Sequence, residues 1–318
     1  LAHSPDPDDA FMWWPITGKV NPDGSARGPV DSKPRIDTGR FSFKAVPADI
    51  EVLNRRAAAT ADLDITALSF RAYCDVKDTY AITRAGSSFG DGFGPKVVCR
   101  VDQENDPVGV HCENCLRSAA VRIAIPGRRT TAFMVLGLML GEDALAAPGK
   151  IIELPFDQII GAVARNEVEA GLVIHEGQVL FEQAGLKQVV DLGVWWKRKT
   201  GLPLPLGCNA VKRDLDQRFG PGSIAEVSAT LKRSIEYALA HREESLEYTM
   251  PFALANAAKP GAEQSGAPTP QRVDKYVAMY VNQWTLDMGD TGLQAVTQLL
   301  REGAAAGLCP DAGKVDLA

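Results

Sequence analysis

The sequence predicts an α/β fold built as two lobes that face each other across a central cleft. Three observations carry this expectation: short apolar runs that stop abruptly at polar residues, a helix, acidic turn and strand that recur in each half, and two proline-marked segments placed to carry the chain between lobes. An apolar run with a polar end reads as a buried strand of a parallel sheet, and ligands of open α/β sheets sit beyond the carboxyl ends of such strands. With 318 residues, 45% of them hydrophobic, the chain is long enough to bury two such units.

The elements follow in chain order. His3 to Trp14 opens with two prolines and three aspartates around Ser4, a turn whose polar side chains can accept bonds from the amides that start the next helix. Ile50 to Ala59 is helix-like, and Leu63 to Ser69 is a strand that ends on Ser69. Val121 to Ile125 is a β-branched run, followed by a turn and an apolar helix from about Ala132 to Leu140. Ile159 to Ile174 repeats the earlier unit, with Asn166 to Glu169 in the place of Ala61 to Asp64. Past Ser223 the spacing of Val227, Leu231, Ile235 and Leu239 gives an apolar helical face, continued by Leu246 and Tyr248, and Tyr276, Met279, Tyr280 and Val281 begin another helix. These aromatics read as core and rim packing. Gly94-Pro95 and Leu202-Pro203-Leu204-Pro205 are the expected crossings, so residues 1–97 with 204–318 form one lobe and 98–203 the other. Segments 21–40, 101–119 and 256–270, rich in small and polar residues, fit surface loops.

The most informative run is Gly171 to Gly177, where the apolar stretch stops at His175. A histidine aimed at a crevice is a candidate general base, since its ring exchanges a proton near neutral pH; the plainer reading is a strand-end histidine bonded to a loop. Glu176 is a weaker candidate to orient it, because neighbours on a strand face opposite ways. Thr130 and Thr131 precede a helix, where hydroxyls, free amides and the positive end of the dipole can hold a carboxylate, or where a threonine simply caps. Arg128 and Arg129 beside them read equally well as solvated.

Composition excludes several classes. A net charge of -6 without a dense basic stripe argues against nucleic acid as a partner, and no apolar stretch has the length to span a membrane. Gly86, Gly90, Gly92 and Gly94 lie in an expected loop with no helix pattern after them, so there is no nucleotide fingerprint. The acidic amino end lacks the glycine and glutamate of a calcium loop. Of six cysteines only Cys112 and Cys115 form a close pair, and without a second pair a zinc centre is disfavoured against a redox pair or free thiols in a reducing cytoplasm. Nothing in the sequence fixes an oligomeric state.

Several motifs together carry a family resemblance. Ser-Pro-x-Pro-Asp-Asp-x-Phe begins at Ser4, and Asp-Ile-Thr-Ala-Leu-Ser spans 64–69. Phe-Gly-Pro at 93–95, Pro-Gly-Arg-Arg-Thr-Thr-Ala-Phe at 126–133 and Glu-Val-Glu-Ala-Gly-Leu-Val-Ile-His-Glu at 167–176 follow. Asp-Leu-Gly-Val-Trp-Trp-Lys at 191–197 and Thr-Gly-Leu-Pro-Leu-Pro-Leu-Gly at 200–207 complete the order. Over nearly its whole length the chain resembles the 1,4-dihydroxy-6-naphthoate synthases of the futalosine route to menaquinone. The resemblance implies a type II periplasmic-binding-protein-like fold and a cofactor-free carbon–carbon lyase in the cytoplasm, holding no metal and acting on the small carboxylate cyclic dehypoxanthinylfutalosine. It also implies His175 as base, and substrate contacts from Ala67, Leu68, Ser69, Thr130 and Thr131, with Ser4 and Asp9 in the first motif. The chain departs where relatives often carry asparagine, at Asp8, and lysine, at Ala67; the second change removes a charge partner for a carboxylate. Two alternatives share the fold: a solute-binding protein for a small carboxylate, favoured by a signal sequence upstream of Leu1, and a chorismate dehydratase. A pure binder has no need of a base at position 175.

Overall fold

A computed structural model of the chain describes residues 1–101, 110, 112–175, 177–259 and 267–318. Its strands fall into two sheets. The first contains β1 (Ala2–His3), β2 (Val46–Pro47), β3 (Ile65–Ser69), β4 (Tyr80–Ile82), β5 (Ser88–Gly90) and β11 (Leu204–Lys212), ordered β2-β1-β3-β11-β4 with β5 also paired to β11. The second contains β6 (Lys96–Arg100), β7 (Ile123–Ile125), β8 (Ile151–Glu153), β9 (Ala170–Val173) and β10 (Leu186–Asp191), ordered β10-β6-β9-β7-β8.

Neither sheet is purely parallel. β1 runs parallel to β2 and β3, and β9 runs parallel to β7, but β11 is antiparallel to β3 and β6 is antiparallel to β9. These two reversed strands are the ones that receive the chain as it crosses from the other sheet, so each enters from the opposite direction. The crossings touch. A Cβ on Gly193 would lie 1.9 Å from the Phe93 carbonyl oxygen, and one on Gly94 would lie 2.8 Å from the Gly193 amide nitrogen. Only glycine permits that approach. The Leu192 amide donates to Pro95 O at 2.9 Å, and Lys96 pairs with Asp191, whose carboxylate caps the helix Leu192–Thr200.

Helix formation follows the local signals. Pro7 fixes the first turn of the helix Pro7–Thr17, with Asp8 and Asp9 favourably placed against its dipole, and that helix is buried from Asp9 onward against Ser223–Ala240 and Arg242–Ala257. Asp49 caps Ile50–Ala59, and Thr130 caps Thr131–Leu140. The last aromatic cluster closes a helix instead of opening one: Pro270–Tyr280 is capped by Thr269, so Tyr276 and Tyr280 stand in its final turns. The four glycines expected in a loop flank and include a strand, β5. One large apolar core draws Leu68, Phe70, Ile123, Ile125, Met134 and Leu299 from both sheets and from the helices Phe70–Val76, Thr131–Leu140 and Gly289–Ala305, joining the halves behind the cleft. No described helix is long and apolar enough to cross a membrane.

Candidate active site

Between the two sheets lies a cleft enclosing about 760 Å³, part of it open to solvent. Ser4, Asp8 and Asp9 from the amino end line it, with Ala67, Leu68 and Ser69 from β3, Thr130 and Thr131 from the turn after β7, and His175 from the turn after β9. The base and substrate-contact candidates of the sequence, Ser4, Asp9, Ala67, Leu68, Ser69, Thr130, Thr131 and His175, meet in one cavity. Ser69, Thr130, Thr131 and His175 share a cause of position, standing at or beyond the carboxyl ends of β3, β7 and β9, while Ser4, Asp8 and Asp9 come from the turn and helix that follow β1.

His175 is not the last residue of its strand. β9 stops at Val173, and His175 takes a left-handed backbone with φ of +53°. That conformation is costly for a residue with a Cβ, on the order of 1–3 kcal/mol, and such strain collects at functional sites. The turn swings the ring toward the other sheet. There Nδ1 meets Asp6 Oδ2 at 2.7 Å, and the ring edge packs on Phe156 with centroids 4.7 Å apart. Asp6 begins the helix Pro7–Thr17 yet makes no capping bond to it. Its carboxylate instead accepts from Ser4 Oγ at 2.7 Å and from Asn256 Nδ2 at 3.2 Å as well as from His175. Burial pushes this carboxyl up, but the His175 ring and the Ser4 hydroxyl outweigh it, and the net direction is below the usual carboxylate range.

Its neighbours on the same turn go the other way. Asp9 accepts from the Ser4 amide at 2.8 Å and is raised by burial against the opposing pull of His3 and Ser4. Asp8 is raised well above the carboxylate range by burial, then by Asp9 and Asp6. Its Oδ1 is buried and has no hydrogen-bond partner among the described residues. One turn therefore holds an anion tied to His175 and two carboxyls shifted toward their neutral forms, Asp8 the more strongly.

The opposite wall is uncharged. Thr130 Oγ1 donates to Gly127 O at 2.7 Å and accepts from Phe133 N, while Thr131 Oγ1 donates to Leu206 O at 2.7 Å and accepts from Arg71 N. Both hydroxyls are thus committed within the protein, and what the helix start can offer a carboxylate is its amides and its dipole. Ser69 is fixed by Asn54, which takes its amide proton at 3.0 Å and donates to its hydroxyl at 3.1 Å. Arg128 and Arg129 pair outward with Glu153 and Asp75.

Several residues that line or brace the cleft were not among the site candidates of the sequence. Asp6 stood at the unspecified position of the first motif. Tyr276 and Tyr280 line the cleft, and the Tyr280 hydroxyl donates to Gln178 Oε1 at 2.9 Å across the sheets. Asn54 sits mid-helix and Asn256 in the last turn of Arg242–Ala257, where nothing local separates them from solvent-facing residues. Glu176 and His111 lie outside the described residues. Cys112, exposed, and Cys115, partly buried, bring their Sγ atoms to 3.2 Å, and neither lines the cleft.

Comparisons with known proteins bear on the family and the fold. The chain is 37% identical over 309 residues to a 1,4-dihydroxy-6-naphthoate synthase of Thermus thermophilus, covering 97% of this chain and 94% of that protein. A crystal structure of an Archaeoglobus fulgidus protein superposes with a TM-score of 0.74 at 35% identity, covering 96% and 97% of the two chains. A Candida albicans protein described as having the generic periplasmic binding protein fold superposes with a TM-score of 0.56 at 12% identity, covering 87% and 88%; this likeness bears on the fold alone. A family model described as menaquinone biosynthesis matches residues 1–305, so the chain belongs to that family and folds as a two-lobed, periplasmic-binding-protein-like α/β protein.

Proposed function

We propose that this protein is a 1,4-dihydroxy-6-naphthoate synthase, a cytoplasmic lyase that cleaves a carbon–carbon bond of cyclic dehypoxanthinylfutalosine without a cofactor. The observation that carries the reading is the His175–Asp6 pair at the cleft wall. A binding protein gains nothing from a histidine held in a strained turn with an orienting carboxylate behind it. Nδ1 turned to Asp6 makes Nε2 the basic nitrogen, and the anion steadies the imidazolium formed when Nε2 takes a proton from the substrate. The substrate carboxylate is met by the amides of Thr131 and Ala132, since that of Thr130 already donates to Gly127 O, with Ala67, Leu68 and Ser69 along one side and Ser4 and Asp9 holding the acidic turn in shape.

Residues 1–97 with 204–318 and residues 98–203 act in this reading as two lobes that close over the substrate and exclude water. The shared apolar core behind the cleft keeps that closure small. Scattering profiles recorded with and without a tight ligand are expected to show a slight compaction, and a wide opening in the free protein would contradict it. The activity itself is tested by incubating the purified protein with cyclic dehypoxanthinylfutalosine and following the naphthoate by mass spectrometry. Formation of the naphthoate supports the reading; no product, with chorismate dehydrated instead, replaces it with the related dehydratase.

A further inference from the structure

Asp8 lies in the cleft wall one turn from the His175–Asp6 pair, and its surroundings are unusual for a carboxylate. Three aspartates share the turn. Asp6 has His175, Ser4 and Asn256 as donors, and Asp9 has the Ser4 amide with His3 close by. Asp8 Oδ1 is buried without any donor among the described residues. The ionisable groups facing it are Asp6 and Asp9 on its own turn, His175 from the second sheet and Tyr280 from the helix Pro270–Tyr280; Lys259 acts on Asp6. Asp6 and Asp9 are anions when ionised, the Tyr280 phenol is pushed up by burial and stays neutral, and among the described residues the cation facing Asp8 would be His175 after it has taken a proton.

An ionised Asp8 here would be a desolvated anion beside two others, and it would repel an anionic substrate from the same cleft. A neutral carboxyl removes that repulsion and supplies an O–H donor where the wall otherwise presents acceptors. We infer that Asp8 works as a neutral acid, donating a hydrogen bond to a carbonyl or anionic oxygen of the substrate at the His175 end of the cleft, and so selects substrates that carry an acceptor there. This rests on the proposed activity for its substrate but not for the state of the carboxyl. Burial and the two neighbouring carboxylates raise Asp8 in the direction this requires.

The test compares the wild type with Asp8→Asn and Asp8→Ala. Asparagine keeps the shape and offers an N–H donor at every pH, whereas alanine offers none. Asp8→Asn is expected to stay within about threefold of wild type at neutral pH and to lose the fall in kcat/KM that the wild type shows as Asp8 ionises on the alkaline side. Asp8→Ala is expected to lose about tenfold or more in kcat/KM at every pH, the scale of one hydrogen bond to a charged group. Equal losses in both variants, or an alkaline limb that survives in Asp8→Asn, would overturn the role. Infrared difference spectra of the free protein read the carboxyl directly: a protonated C=O band near neutral pH that disappears in Asp8→Asn supports the neutral acid, and its absence from the wild type refutes it. That readout holds even if the wild type makes no naphthoate, a result that would sink the proposed activity alone.

Discussion

Two helix starts face each other across the cleft, and they are furnished in opposite ways. The helix Pro7–Thr17 carries Asp6, Asp8 and Asp9 around its first turn, whereas Thr131–Leu140 has no acidic residue there and caps itself with Thr130. A helix start attracts negative charge. The first has been supplied with its own anions, so its positive end is already answered and its chemistry is that of carboxyl groups with altered proton affinity. The second leaves its amides for an anion that comes from outside. Under the proposed function, the contrast gives proton transfer to one wall and substrate anchoring to the other, with His175 reaching from the anchoring sheet to the acidic turn.

The largest expected effect tests the proton-transfer wall. His175→Ala should fold normally and lower turnover by about 10² or more, the usual scale for a lost general base. Normal turnover would remove the histidine from the mechanism. Asp6→Asn should lower turnover by roughly tenfold or more, since the ring loses both its orientation and the anion that steadies its charged form. It should also change the acid limb of stability. Asp6 is held below its unfolded value of about 3.9, so its contribution is full above that value and is lost as pH falls through the depressed one. Acid melts of the variant should lack that component, and superimposable melts would mean that Asp6 is not the anion in the pair.

The anchoring wall should respond differently. Thr130→Val removes a cap that also bonds Gly127, so thermal melts should show a loss of about 0.5–2 kcal/mol. Carboxylate affinity measured by calorimetry should fall by less than about tenfold, because the hydroxyl is spent inside the protein and the amides remain. A loss of binding without loss of stability would return the hydroxyl to the substrate. The smallest effect is expected outside the comparison: Cys112→Ser should leave turnover unchanged within about twofold, the surface location giving it no contact with the cleft. A large fall would tie the cysteine pair to the site.

Much of this site was legible because strand ends announce themselves. Ser69, Thr130, Thr131 and His175 each follow a short apolar run, and that periodic signal survives in one sequence. The two-sheet fold was legible for the same reason, although the reversed β6 and β11 were not, since strand direction depends on where the chain enters a sheet. Asp6 was hidden for a physical reason. Between two prolines and ahead of a helix it looks like a cap, and only the tertiary structure shows its carboxylate turned from the helix to a histidine 169 positions away. Tyr276 and Tyr280 follow a core-like spacing, and nothing local distinguishes an aromatic that lines a cleft from one that fills a core.

The division of labour between the walls is tested most directly by a crystal structure with 1,4-dihydroxy-6-naphthoate bound. The account predicts its carboxylate against the amides of Thr131 and Ala132 and its ring edge toward His175 Nε2, with Asp6 still on Nδ1. A carboxylate seated instead among Asp6, Asp8 and Asp9, or a ligand outside the cleft, would contradict it.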